Sequence, residues 1–241
     1  MFTRTESFKE FIRYYPVVSA IICIHIIIYL LTVIPLFPNT LIFEKLAGVN
    51  LYIVQGEYWR LLSPIILHSG FPHVLFNSFS LVLFGPVLER LLGKTRFILL
   101  YITAGAAANI ATLLLEPLTY IHVGASGAIF GLFGYFAAII VFRKELLSRE
   151  NSQIILTITI IGVVMTILQP NINITAHLFG LLAGFLIGAA SLAKGRTSSP
   201  SSTIQPGRLS GIRPTLKGVP ASKLVLWGII IILAVLGFLA R

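Results

Sequence analysis

The sequence predicts an all-α fold: a polytopic bundle of transmembrane helices, with a six-span core and a seventh span near the C-terminal end. Three observations predict it. Of 241 residues, 56% are hydrophobic and only 11% charged, less than half the ~25% charge of an ordinary soluble domain, and the mean hydropathy is +0.94. The apolar residues gather into seven runs, most of them near the ~20 residues that cross a bilayer. The basic residues lie between those runs rather than within them.

Residues 1–16 are polar and of mixed charge (Arg4, Glu6, Lys9, Glu10, Arg13) and read as a cytoplasmic segment with a short amphipathic surface helix. The six-span core covers 17–193. Span one, about 17–36, ends at Pro35 and Pro38. The connection that follows, roughly 38–71, is too polar to span and too apolar for a free linker. It reads as a structured loop of short interfacial helices anchored by Tyr58 and Trp59. Spans two to six fall at about 72–92, 95–115, 126–142, 154–168 and 176–193. Residues 194–222, rich in Ser, Pro, Gly and basic side chains, read as a flexible cytoplasmic linker. Residues 223–241 hold the seventh span.

With the N-terminus in the cytoplasm, the cytoplasmic segments hold 15 of the 18 Lys and Arg residues, and only Lys45, Arg60 and Arg241 fall on the other side. The positive-inside rule is obeyed. The formal charge of +10 and the pI of about 10.1 therefore point to topology and anionic headgroups. No basic stripe with interleaved aromatics supports nucleic-acid binding. The single Cys23 excludes intramolecular disulfides and cysteine metal clusters. The N-terminal apolar run is long enough to span, and no small-x-small cleavage site follows it.

In this topology spans two, four and six all begin at the extracytoplasmic level, and the informative polar residues are at those beginnings: His73 and Asn77, then Ser126, then His177. Polar groups within a membrane are costly and mark functional sites, and a Ser–His pair is the least apparatus for nucleophilic catalysis. Ser126 starts a helix, where free N–H groups and the helix dipole favour negative charge. The run Gly124-Ala125-Ser126-Gly127 also reads as a small-residue packing patch. It is not the soluble-hydrolase nucleophile elbow, because Ala128 takes the place of the last glycine. Gly180, Gly184 and Gly188 follow His177 on its own helical face and allow another helix very close. Span four, with Gly127, Gly131 and Gly134, is the expected partner. His73 and Asn77 share one face and can present side-chain donors, either to a developing oxyanion or to a neighbouring helix.

This constellation resembles the rhomboid family of intramembrane serine proteases. The resemblance rests on Gly124-Ala125-Ser126-Gly127, on Ala176-His177-Leu178-Phe179-Gly180 with Gly184, on His73-Val74-Leu75-Phe76-Asn77, and on Trp59-Arg60. It covers about residues 50–193, and the seventh span is similar to the six-plus-one form of part of the family. It implies a dyad without aspartate, with Ser126 as nucleophile and His177 as general base, and an oxyanion hole of His73, Asn77 and the Ser126 backbone N–H. It implies single-span membrane proteins as substrates, cut near the extracytoplasmic face, with no cofactor and no metal. Span five and residues 169–175 would be gate and cap. Two positions depart from the family pattern: Phe130 stands where a tyrosine often stacks on the histidine, and Phe179 where a glycine is common.

Two other classes compete. His68, His73, His122 and His177 share the outer side, with Glu116 the only acidic residue close to them, and imidazole binds zinc well; the His-Glu-x-x-His helix of a zinc protease is absent. A transporter or binding scaffold would more often show paired intramembrane charges or an inverted repeat. Glu89 and Arg60 read as structural, and Asn173-Ile174-Thr175 as a sequon too close to span six for glycosylation.

Overall fold

A computed structural model of the chain describes residues 5–194, so the expected linker, but for its first residue, and the seventh span lie outside the described residues. The chain runs through nine α-helices within that range: α1 (Phe8–Tyr14), α2 (Pro16–Val33), α3 (Asn39–Leu46), α4 (Asn50–Val54), α5 (Phe71–Leu92), α6 (Lys94–Leu115), α7 (Ser126–Phe142), α8 (Arg149–Leu168) and α9 (Ile174–Lys194). Two single-turn 3-10 segments, Tyr58–Leu61 and Ser63–Ile66, complete the long connection between α2 and α5. Among the described residues the only strands are a two-residue antiparallel pair, β1 (Gly48–Val49) with β2 (Ile121–His122), which sets Gly48 opposite His122. It ties the long connection to the segment just before Ser126.

Helices α2, α5, α6, α8 and α9 are long and apolar enough to cross a membrane. Their ends differ from the hydropathy reading where local chemistry decides. Helix α2 stops at Val33 because Ile34 precedes Pro35 and is held extended. Helix α8 starts at Arg149, five residues before the apolar run, because the Ser148 side chain accepts from the Asn151 N–H at 3.3 Å and caps a polar first turn.

Helix α7 is different in kind. Its 17 residues span about 25 Å, short of the roughly 30 Å hydrocarbon thickness. Fourteen of the 17 are buried inside the protein, so its surroundings are other helices rather than lipid. It forms the axis of the bundle, packed most extensively on α9 and then on α6. The glycine stripes explain that closeness. A Cβ added at Gly180 would run into the Gly127 carbonyl, one at Gly184 into the Gly131 carbonyl, and one at Gly134 into the Leu181 carbonyl. The two backbones touch because no side chain stands between them.

Two buried charges hold the outer parts in place. Arg60, 2% exposed, donates from Nε to Glu57 Oε2 at 2.6 Å and from Nη1 to the Glu44 and Ala47 carbonyls at 2.5 and 2.6 Å. It is the internal staple of the long connection. Glu89 on α5 is buried and accepts from the Val17 and Val18 N–H groups at 3.0 and 2.9 Å. Those are free donors in the first turn of α2, so a carboxylate from a neighbouring helix serves as its N-cap. Glu89→Ala would leave both donors unpaired, that of Val18 in a buried place and that of Val17 in a partly buried one. The expected loss is about 2–3 kcal/mol, read as a lower thermal midpoint in detergent, with Glu89→Gln falling between it and the parent.

Candidate active site

Four elements converge on a cavity of about 960 Å³ lined by Ser126 and Phe130 of α7, His177 of α9, His73 and Asn77 of α5, and Gly162 and Met165 of α8. All four residues singled out for catalysis therefore face one space, although they come from three helices distant in sequence. Residues Gln169, Asn171, Ile172 and Asn173 line the same cavity.

Ser126 is the first residue of α7, and the Ala125 before it is in the αR region. The N–H groups of the first turn have no intrahelical acceptors and point out of the helix start. Gly124 allows this entry. Its φ of +125° is one that side chains rarely adopt, and a Cβ there would lie 2.6 Å from His73 Nε2 and 3.7 Å from Ser126 Oγ. Those two distances place the His73 Nε2 edge and the Ser126 hydroxyl around the same glycine.

His73 sits in the first turn of α5. Its Nδ1 lies 3.1 Å from Ser69 Oγ and accepts, at 3.5 Å, from the Ser69 N–H. An accepting Nδ1 leaves Nε2 as the protonated nitrogen of the neutral ring, so the edge near Gly124 is a donor. One turn on, Asn77 is 7% exposed and its Nδ2 has no hydrogen-bond partner. An unpartnered buried donor is costly unless something is meant to meet it.

His177 belongs to the first turn of α9. Its ring lies flat on Phe130, with centroids 4.1 Å apart and planes at 16°, so the phenylalanine provides the aromatic face expected of it. The ring's Nδ1 is 2.7 Å from Thr166 Oγ1 on α8. Among the described residues no hydrogen bond joins Ser126 Oγ to His177; catalytic contacts of an unliganded site are often looser than in the substrate complex.

The start of α9 is fixed by a network on the C-terminal end of α6. The Asn173 side chain accepts from the Ala176 N–H at 2.8 Å and donates to Thr112 Oγ1 at 3.0 Å, while Thr175 Oγ1 donates to Glu116 Oε1 at 2.6 Å. Asn173 of the sequon is thus a helix cap, and Glu116 is an anchor for α9. Of the remaining histidines, His122 also lines the cavity, but neither it nor His68 joins Ser126, His177, His73 or Asn77 through a hydrogen bond. His68 is packed between His25 and His73, with ring centroids 4.7 and 5.0 Å away, and His122 lies against Gly48 and Tyr120. Among the described residues no group of His, Cys, Asp and Glu is placed to hold a metal ion. Burial, assisted by the neighbouring rings of His25 and His73, holds His68 down to about 2, and burial holds His122 down to about 4. Both are neutral packing groups near pH 7.

Residues 55–194 match the family model described as the rhomboid domain. The chain belongs to the rhomboid family. Among its relatives, "Putative rhomboid protease YdcA" of Bacillus subtilis (strain 168) is 48% identical over 194 residues, covering 80% of this chain and 98% of YdcA. The rhomboid protease GluP of the same organism is 39% identical over 60% of this chain and 28% of GluP. RHOMBOID-like protein 1 of Arabidopsis thaliana is 30% identical over 84% of this chain and 52% of that protein. The chain thus spans nearly all of the first relative and about half or less of the other two. Membership in this family together with the apolar helices makes it a multi-pass membrane protein, and its relatives place it among intramembrane proteases. Within this rhomboid bundle, sequence reasoning missed Thr166 and the roles of Asn173 and Thr175. Each is an ordinary polar residue whose partner lies on another helix, and no spacing pattern marks it.

Proposed function

We propose that this rhomboid is an intramembrane serine endopeptidase in which Ser126 is the nucleophile and His177 the general base. The observation that carries the reading is the shared cavity, where a hydroxyl at a helix start, an imidazole, and the donors of His73 and Asn77 face one space. Ser126 Oγ attacks the carbonyl carbon of the scissile bond as its proton passes to His177 Nε2. The carbonyl oxygen becomes an oxyanion, met by His73 Nε2–H, Asn77 Nδ2–H and the Ser126 N–H. The C–N bond then breaks, and His177 gives its proton to the leaving amine. Water hydrolyses the acyl-enzyme with the same base.

The substrates of this reading are single-span membrane proteins. A peptide bond within an intact helix has its carbonyl bonded and its backbone shielded, so the segment to be cut must unwind. The cavity reaches between α5 and α8 through Phe76, Ile158 and Ile161, giving an apolar approach for such a segment, with α8 as gate and residues 169–175 as cap. The distribution of Lys and Arg supports a cytoplasmic N-terminus in the cell membrane and a site open to the extracytoplasmic side.

A fluorophosphonate probe tests the chemistry without a known substrate. The purified protein is expected to be labelled at Ser126, and labelling is expected to vanish in Ser126→Ala and to slow strongly in His177→Ala. A chain that takes no label would count against the enzyme reading, and equal labelling of Ser126→Ala would place the nucleophile at another residue.

A further inference from the structure

We infer that Thr166 is a positioning residue that fixes His177 as the Nδ1–H tautomer and leaves Nε2 as its proton acceptor; the inference rests on the serine-protease reading above. The Thr166 hydroxyl makes two short contacts, 2.7 Å to the Gly162 carbonyl and 2.7 Å to His177 Nδ1. It owns one proton. A carbonyl can only accept, so that proton is donated to Gly162. Thr166 Oγ1 then has only lone pairs to offer His177, and Nδ1 must be the donor. The reverse assignment would set two oxygen lone pairs against each other at 2.7 Å. Thr166 is 1% exposed, so no solvent is at hand to relieve such a clash.

The neutral imidazole has one N–H, and placing it on Nδ1 leaves Nε2 bare. A general base needs that bare nitrogen toward the serine. In serine proteases with a triad, a carboxylate sets the tautomer and the ring orientation and stabilises the imidazolium. The Thr166 hydroxyl backed by the Gly162 carbonyl performs the first two tasks and contributes no formal charge. The same turn of α8 steadies the ring from its face as well. A Cβ added at Gly162 would lie 3.2 Å from Phe130 Cζ, so Gly162 backs the phenylalanine that stacks on His177.

The test compares Thr166→Val, which keeps the shape and removes the hydroxyl, with Thr166→Ser, which keeps the hydroxyl. For a cleaved membrane substrate, Thr166→Val is expected to lower kcat about 10- to 100-fold, by analogy with the loss of the outer hydrogen-bond partner of a metal-bound imidazole. KM should stay within about twofold, and Thr166→Ser should recover most of kcat. Histidine-labelled 15N NMR, with His177 assigned by its loss in His177→Gln, should show a protonated Nδ1 in the parent and in Thr166→Ser and a mixed tautomer in Thr166→Val. If Thr166→Val does not fold, Thr166→Ala takes its place. A parent ring protonated at Nε2, an unchanged kcat in the hydroxyl-less variant, or a loss that serine does not restore would overturn the inference. The tautomer is read without any substrate, so it can fail or hold independently of the proposed protease activity.

Discussion

Ser126→Ala and His177→Ala are each expected to bring cleavage below detection, a fall of at least about a thousandfold, while the protein folds as before. In the proposed mechanism the two residues act as a unit, so the double variant should be no worse than either single one. Neither change empties the core. Ser126 presents its hydroxyl to a cavity, and its removal exposes no buried partner, since among the described residues that oxygen makes no hydrogen bond. His177→Ala does free one side of Phe130, which stacks on it at 4.1 Å, and costs some stability with the activity. Co-expression with a panel of tagged single-span proteins measures the effect. The parent should cut at least one of them, and equal cleavage by either variant would sink the dyad.

Gly184→Leu should be the most damaging single change to the fold. A Cβ at position 184 meets the Gly131 carbonyl and its neighbouring backbone atoms, and a backbone cannot swing aside as a side chain does. The closest helix pair in the bundle must then separate, and α9 carries His177 with it. The cost should exceed the ~1–3 kcal/mol of ordinary overpacking, so the thermal midpoint in detergent should fall by at least about 5 °C and probe labelling of Ser126 should be lost together with it. Gly70→Ala is the matched control. Its backbone is fully extended, with φ of −179°, and an added Cβ meets nothing closer than Pro72 Cδ at 3.9 Å. A stable, active Gly184→Leu would mean that the glycine stripe is not what brings α7 and α9 together.

The glycine stripes also show how far one-dimensional patterns reach. Gly180, Gly184 and Gly188 repeat on one helical face, so their role could be read before any helix was placed, and α7 is indeed the partner they face. Ser126, His177, His73 and Asn77 were visible because each breaks an apolar run, where a polar group must have a reason to be present. The place of Phe130 against His177 was implied only by the family resemblance, not by any pattern in the residues. Thr166, by contrast, looks like Thr157 and Thr159 on the same helix. Its meaning comes from lying 2.7 Å from a ring eleven residues away in sequence.

Amino-acid order alone determined the membrane class and, among the described residues, the approximate limits of the apolar helices, because hydropathy and helical period are local properties that survive without knowing any contact. Tertiary structure decided which helix is central. A strongly apolar run reads alike for a buried helix and a lipid-facing one, and only the surroundings of α7 make it the axis. Tertiary structure also decided that Glu89 caps α2, that Asn173 and Thr175 hold the start of α9, and that Thr166 meets His177. Each is a hydrogen bond between groups brought together by packing, and in a dry interior such bonds are set by position to a fraction of an ångström, which no local pattern encodes.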